Sequence, residues 1–329
     1  MKNIAVLGAD SLIGRELVTI LEQRDYPIRD IYFYSADREA AGELIFKDKK
    51  IDLLSDHGEF LDKVALVFCC LERVQARTLV AKFKKKSLVI DLSGGFRFAA
   101  DVLHVIPEVN GHMLSEHIGI VANPNPITIQ LLVVLYSLNE KYKLKRLHVT
   151  ALNAVSNLGK DALDELNYEF EFLALGEPAQ KAQDSVFPCT IGANLIPQIG
   201  DFVHKGYTEE ETLLAREITE ILGRDEILVS ATCICVPVKR ANCAVVCADF
   251  EEEVSIAEAK KVLKSAGGVK LMSHDDEYPT PESVVGRDEV FVGRLRKDTV
   301  FQNGLAMWLA TDNLRKGSAL NAVQIAELV

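Results

Sequence analysis

The chain has no apolar run approaching the roughly 18 residues that a membrane-crossing helix needs. Its amino terminus, MKNIAVLG, enters a strand pattern directly, without the charged-then-apolar character of a cleavable signal. A soluble, cytoplasmic protein is expected, with no membrane partner. Basic charge is also short: 37 Lys and Arg against 48 Asp and Glu leave a net charge of −11. That balance excludes a general affinity for nucleic acid or anionic lipid, because either would need a basic face. The run Lys84 to Lys86 reads as a solvated helix end. The seven cysteines include no CxxC pair with accompanying histidines, so neither a zinc framework nor an obvious disulfide set is expected. The adjacent Cys69 and Cys70 and the alternating Cys233 and Cys235 read as buried strand residues. Repeats and low-complexity stretches are missing, and Gly and Pro are too scattered to mark a long linker.

What is present is a large globular chain. Its 329 residues exceed the size at which single domains usually divide, so two domains are the default, and 48% hydrophobic content supports well-packed cores. The first half alternates short apolar strands (IAVLG, IYFYS, VALVFCC, SLVIDLS, IGIVANP) with helices at Ile13 to Gln23 and near Val74 to Lys85. That order implies an α/β fold, a Rossmann-like, doubly wound parallel sheet. From Lys145 onward the strands lengthen (RLHVTALNAVS, ILVSATCICVPVK, CAVVCADFE), which implies an α+β domain with a mostly antiparallel sheet and helices on one face. A helix over Ile127 to Leu138, with Asn125 as N-cap and Pro126 as its first residue, marks the boundary. The last segment, TDNLRKGSALNAVQIAEL, is read as a helix whose Leu320, Val323, Ile325 and Leu328 dock on the first domain. The expected division is residues 1–126 plus 312–329 for dinucleotide binding, and 127–311 for substrate binding and dimerisation.

After the first strand, GADSLIG places Gly8 and Gly14 around a turn that contains Asp10, Ser11, Leu12 and Ile13 and leads into a helix. Such a turn aims backbone N–H groups at a dinucleotide pyrophosphate. After the second strand come Ser35, Asp37 and Arg38. An acid at this place is the usual partner of an unphosphorylated ribose, and an arginine suits a 2′-phosphate, so NADP or NAD is the candidate cofactor.

The stretch VANPNPITIQLLVVL resembles the ANPNC-plus-helix segment of aspartate-semialdehyde dehydrogenases, and the resemblance extends along nearly the whole chain. It includes VIPEVN at Val105 to Asn110, the run from Phe187 to Phe202, the run from Tyr278 to Asp298, and the C-terminal DNLRKGSALNAVQIAE. The resemblance implies the two-domain dehydrogenase fold, a nicotinamide cofactor and a homodimer paired through the second domain, where GRLRKD is kept. It also implies that Asn313 belongs to the cofactor site. Ser11 takes the place of the middle glycine in the family's GATGAVG-like turn, and FCCLERVQ, with Cys70, Leu71 and Glu72, stands for its small-residue loop near the nicotinamide.

At the chemical end the resemblance implies departures. Pro126 occupies the position of the catalytic cysteine, Asn153 that of a glutamine, Cys235 that of the substrate-binding arginine, and Asn242 that of the histidine base. In the family's acid–lysine pair, Glu210 remains while Leu213 replaces the lysine. Arg97, Asn125 and Glu210 are the surviving substrate or anion candidates. Arg240 lies near the lost arginine and is read as a surface residue. Cys69, Cys189, Cys243 and His274 have no motif placing a base beside a thiol. The expectation is a catalytically degenerate homologue of the Usg type, serving as a dimeric scaffold or small-molecule-binding protein. The alternative is an NAD(P)-dependent oxidoreductase acting on an aldehyde or oxo group, including aspartate-semialdehyde dehydrogenase activity.

Overall fold

The computed structural model describes residues 1–35, 42–55, 63–83, 87–97, 99–117 and 119–329. Arg38, Asp37 and Lys84 to Lys86 lie outside the described residues. The chain divides into two compact units, one of Met1–Asn125 with Ser318–Val329 and the other of Pro126–Gly317.

The strands of the first unit are β1 (Lys2–Leu7), β2 (Ile28–Tyr34), β3 (Glu43–Phe46), β4 (Lys49–Leu54), β5 (Leu66–Cys69), β6 (Leu88–Asp91), β7 (Leu103–His104) and β8 (Ile120–Ala122). They form one sheet in the order β3-β4-β2-β1-β5-β6-β8-β7. Every pairing is parallel except β3 with β4. The central strands are apolar throughout because both faces of a parallel sheet are covered. Helix α1 (Leu12–Gln23) lies over one face and packs with the C-terminal helix Leu320–Glu327; α2 (Arg73–Phe83) packs on β5 and β6, and the short α3 (Pro107–Asn110) packs with the C-terminal helix. Leu17, Leu21, Phe33, Phe68, Leu320, Val323 and Ile325 belong to one core. Leu328, expected among the docked residues, is 54% exposed because it follows the last helical turn.

The hairpin of β3 and β4 was not expected from the sequence. Its turn, Lys47 and Asp48, has φ of 49° and 61°, the left-handed pair that hairpin turns need, but without the Asn-Gly or Asp-Gly that signals it.

The second unit begins with α4 (Pro126–Tyr142), whose Pro126 is the first helical residue. The helix runs one turn past the expected Leu138, because Leu138, Asn139 and Tyr142 are all buried. Lys143 ends it at φ 61°, and Asn139 Oδ1 accepts from the Leu144 amide at 3.0 Å. There follow β9 (Leu144–Ala154), α5 (Lys160–Ala174), the small pair β10 (Phe202–His204) and β11 (Tyr207–Thr208), α6 (Glu209–Leu222), β12 (Leu228–Val236), β13 (Asn242–Phe250), α7 (Ile256–Ser265), β14 (Val269–Leu271), β15 (Val290–Lys297) and β16 (Gly304–Thr311). The main sheet has the order β12-β9-β13-β16-β15-β14. It is antiparallel at its centre and parallel at both edges, β12 with β9 and β14 with β15. Helices α4, α6 and α7 pack against it. Among the described residues no helix is long and apolar enough to cross a membrane, and no group of His, Cys, Asp and Glu is placed to hold a metal ion.

Candidate functional site

The turn from β1 into α1 depends on both of its glycines. Gly8 has φ +74°, and a Cβ there would lie 2.6 Å from the Cys70 carbonyl oxygen. A Cβ on Gly14 would lie 2.1 Å from the Gly8 carbonyl oxygen. No side chain fits either place, so strand, turn and helix approach as closely as a dinucleotide turn requires. Ser11 is the N-cap of α1: its Oγ accepts from the Gly14 amide at 3.0 Å and donates to the Gly8 carbonyl at 2.7 Å. The serine side chain therefore turns back into the turn and takes one amide, leaving those of Leu12 and Ile13 as the open donors for a phosphate. The turn is tied to the end of β2 by bonds from the Gly8 and Ala9 amides to the Tyr34 carbonyl, at 2.8 and 3.0 Å. Ser35, fully buried, donates from Oγ to Asp10 Oδ2 at 2.6 Å.

The segment after β6 forms a second polar turn in the same unit. The Asp91 carboxylate, buried at the strand end, accepts from the Ser93 amide at 3.0 Å, the Ser93 hydroxyl and the Phe96 amide at 3.2 Å. Burial pushes the Asp91 carboxyl above its ordinary range, while those bonds and the Arg97 guanidinium act the other way. Gly94, at φ +69°, brings the backbone against that guanidinium, where a Cβ would be 3.1 Å from Arg97 Cζ. Arg97 is thus packed against this turn, a place where its guanidinium could meet an anion. Burial and the nearby Asp91 charge raise the pKa of Cys69, and Cys70 is raised in the same way, so neither is a ready thiolate.

In the second unit the expected catalytic positions converge in part. Pro126 is half-buried at the start of α4, and Gly317 approaches it so closely that an added methyl would lie 3.1 Å from Pro126 Cβ. Asn242, at the base position, is fully enclosed: its Oδ1 accepts from the Ala154 amide at 2.9 Å and from Asn157 Nδ2 at 2.7 Å. Asn313 is committed to the same loop, with Oδ1 accepting from the Ala241 amide at 2.8 Å and Nδ2 donating to Ser156 Oγ and Asn157 Oδ1, both at 2.9 Å. Asn313, expected at the cofactor site, ties three strand ends together. Asn153 is 2% exposed, and among the described residues its Oδ1 has no hydrogen-bond partner; the same holds for Gln130 Oε1, fully buried on α4. Gln130 Nε2 donates to the Asn242 carbonyl at 3.4 Å. Two buried acceptors without donors call for a water or a ligand N–H or O–H beside them.

Charged candidates are placed differently. Arg240, expected at the surface, is paired with Asp312: Nε lies 2.8 Å from Oδ1 and Nη2 2.8 Å from Oδ2. Asp312 is fully buried and also accepts from the amides of Gly286, Leu314 and Arg315, so this pair is a structural knot. Glu210 is half-buried in the first turn of α6, whereas Leu213 is core. Cys235 is buried, and its backbone bridges Ile196 with bonds of 2.8 and 3.0 Å. Burial pushes the Cys235 and Cys243 thiols up to about 12. Cys189 is exposed, with Sγ accepting from Asn194 Nδ2 at 3.8 Å. Asn125 is buried at the end of the first unit.

Gln130, Ser156 and Asp312 carried no signal in the sequence, because an uncharged amide in an apolar helix or a polar residue in a loop has no diagnostic spacing. The nearest available signal is the recurrence of asparagine at the ends of β9, β13 and β16.

Comparison with known proteins agrees with both units. The family described as semialdehyde dehydrogenase, NAD binding domain, matches residues 3–117, and semialdehyde dehydrogenase, dimerisation domain, matches 135–316. Aspartate-semialdehyde dehydrogenase of Aquifex aeolicus is 38% identical, covering 99% of this chain and 97% of that protein. A solved structure of aspartate semialdehyde dehydrogenase II from Vibrio cholerae, complexed with ASA, superposes with a TM-score of 0.96 at 30% identity, over 100% of this chain and 98% of that one. The Candida albicans enzyme solved with NADP shares the fold at 21% identity, with a TM-score of 0.76 over 100% of this chain and 98% of that one. A Rossmann-like NAD-binding domain followed by a dimerisation domain, matched along the full length, places this chain in the aspartate-semialdehyde dehydrogenase family.

Proposed function

We propose that this chain is a dimeric, nicotinamide-dinucleotide-binding member of its family that does not perform acyl transfer through a thioester, as in Usg-type homologues without the catalytic cysteine. The observation that carries the reading is the pair Pro126 and Asn242. A ring nitrogen without a proton begins α4, and an enclosed amide bonded to Ala154 and Asn157 stands at the base position. Neither can attack a carbonyl or move a proton. The buried thiols of Cys235 and Cys243 are held protonated, so they offer no substitute nucleophile. Arg97, Asn125 and Glu210 remain as substrate or anion contacts, and the amides of Leu12 and Ile13 as pyrophosphate donors. When bound, the dinucleotide would supply hydride transfer; the chain's own part is to hold it at the ends of β1 and β2.

Dimerisation is supported by one face of the second unit's sheet. There Thr150, Val245 and Trp308 pair across β9, β13 and β16, and Leu152, Cys243, Ala310 and Phe291 form the neighbouring row. Val245 is 38% exposed, and Leu152, Trp308 and Phe291 are half-buried. A dimeric mass by light scattering at micromolar concentration is expected.

A second reading is an NAD(P)-dependent oxidoreductase acting on an aldehyde or oxo group, with aspartate semialdehyde as its first candidate substrate. The relatives' names speak for it, and none of them speaks for a silent protein. Phosphate-dependent formation of NADPH or NADH from aspartate semialdehyde by the purified chain decides between the two. Turnover above trace removes the first reading; its absence, with dinucleotide binding retained, removes aspartate-semialdehyde dehydrogenation from the second. Reduction of a panel of oxo acids by NADH or NADPH then tests the direct hydride transfer that remains.

A further inference from the structure

We infer a binding site for a small zwitterion with an apolar side chain, of the α-amino-acid kind, built wholly from the second unit and independent of the dinucleotide reading. It begins at the sequence GRLR in β15. Gly293 stands opposite Trp308 of β16, and the segment Glu277 to Pro279 crosses it so closely that a Cβ there would lie 2.7 Å from Pro279 Cδ and 3.0 Å from Tyr278 Cα. Trp308 Nε1 donates to the Pro279 carbonyl at 2.7 Å, which fixes the indole against that segment. Just after Gly293 the strand bulges: Arg294 and Leu295 span a place where β16 has only Met307. Arg294 takes a left-handed φ of 52° there, a conformation that residues other than glycine rarely adopt. Such a bulge re-aims a side chain, and here Leu295 stays buried while Arg294 is exposed.

Arg294 lines a cavity of about 460 Å³ together with Asp275, Asp276, Tyr278 and Trp308. That volume falls within the range of small-molecule sites. Asp275 is ion-paired with Lys260 of α7 at 2.5 Å, so its charge is already met. Asp276 and Arg294, by contrast, have no side-chain hydrogen bond or ion pair among the described residues, and they carry opposite charges. Two rings complete the lining, Tyr278 at 59% exposure and the half-buried Trp308. A carboxylate matches the guanidinium, an ammonium matches Asp276 and the aromatic faces, and an apolar side chain covers the rings. A ligand with a single charge would leave either Asp276 or Arg294 unmatched.

Calorimetric titration of the full chain with L-leucine, L-phenylalanine and L-tryptophan tests the site. At least one should bind with a Kd in the millimolar range or tighter. For the best binder, the analogue without the ammonium and the analogue without the carboxylate (3-phenylpropionate and phenethylamine in the case of phenylalanine) should each bind about fivefold or more weakly. R294Q should erase the preference over the analogue without the carboxylate, and D276N the preference over the analogue without the ammonium. Both side chains are exposed, so both variants should melt close to the unaltered chain. Failure of all three amino acids to bind overturns the inference, as does a single-charge analogue that binds as tightly as its parent, or unchanged affinity in both folded variants. Trp308 also lies on the face proposed for dimerisation, which makes a second copy the competing occupant. Binding that appears only in a V245D monomer assigns the cavity to the subunit contact and overturns the inference.

Discussion

Replacing Asn242 by leucine should destabilise the second unit by about 2 to 4 kcal/mol, because it removes an acceptor from a place that water cannot enter. Asn242 is fully enclosed, and its Oδ1 takes the Ala154 amide at 2.9 Å and Asn157 Nδ2 at 2.7 Å. Ala154 is itself fully buried, so its N–H would be left without a partner, at about 1 to 3 kcal/mol. Loss of the Asn157 bond adds about 1 kcal/mol. Leucine has the same branching at Cγ and fills the space, which is why it is a sharper test than alanine, whose cavity could admit a water. Hydrogen exchange of the peptide covering Ala154 to Asn157 reads the effect directly. Where closing is faster than chemical exchange, 2 to 4 kcal/mol is a gain in exchange of roughly 30- to 700-fold. The gain should be confined to the second unit. A folded N242L with exchange within about twofold of the unaltered chain would refute the argument that this asparagine is the hub of the loop.

Other perturbations have defined signs. Ser11→Ala removes the N-cap of α1 and should cost about 1 kcal/mol, seen as faster exchange of the Gly14 amide. Gly14→Ala places a methyl 2.1 Å from the Gly8 carbonyl oxygen, a backbone clash that no rotamer relieves. It should abolish dinucleotide binding and lower the yield of soluble protein, and full retention of both would contradict the geometry. The thiols of Cys235 and Cys243 rise from 9.0 unfolded to about 12 folded, so burial of the neutral form contributes stability that is complete below pH 9 and is lost as pH rises towards 12. Urea midpoints measured from pH 8 to 11 should therefore fall, and C235A/C243A should flatten that slope. On the same grounds iodoacetamide at pH 8 should label Cys189 first in the folded chain.

The fold class was legible in the chain before folding, through signals that act over a few residues. Apolar runs of strand length alternating with helical periodicity required a parallel sheet, and Gly8 and Gly14 marked the one turn where no Cβ fits. The same short-range rules placed Pro126 at a helix start, because a proline loses nothing where the amide has no partner. They failed at β3 and β4, where Lys47 and Asp48 adopt left-handed conformations without a glycine to announce them. They failed also at Arg240, whose length and charge suggested solvent until a buried Asp312, 72 residues away, was brought beside it. The polar loop was beyond their reach. Asn157 meets Asn242 across 85 positions and Asn313 across 156, contacts that exist only because β9, β13 and β16 are neighbours in the sheet. Whether an asparagine stands ready for a substrate or is bonded into its own scaffold depends on which donors surround it. Strand order supplies those donors, and for Asn242, Asn313 and Asp10 it was tertiary structure that assigned the partners.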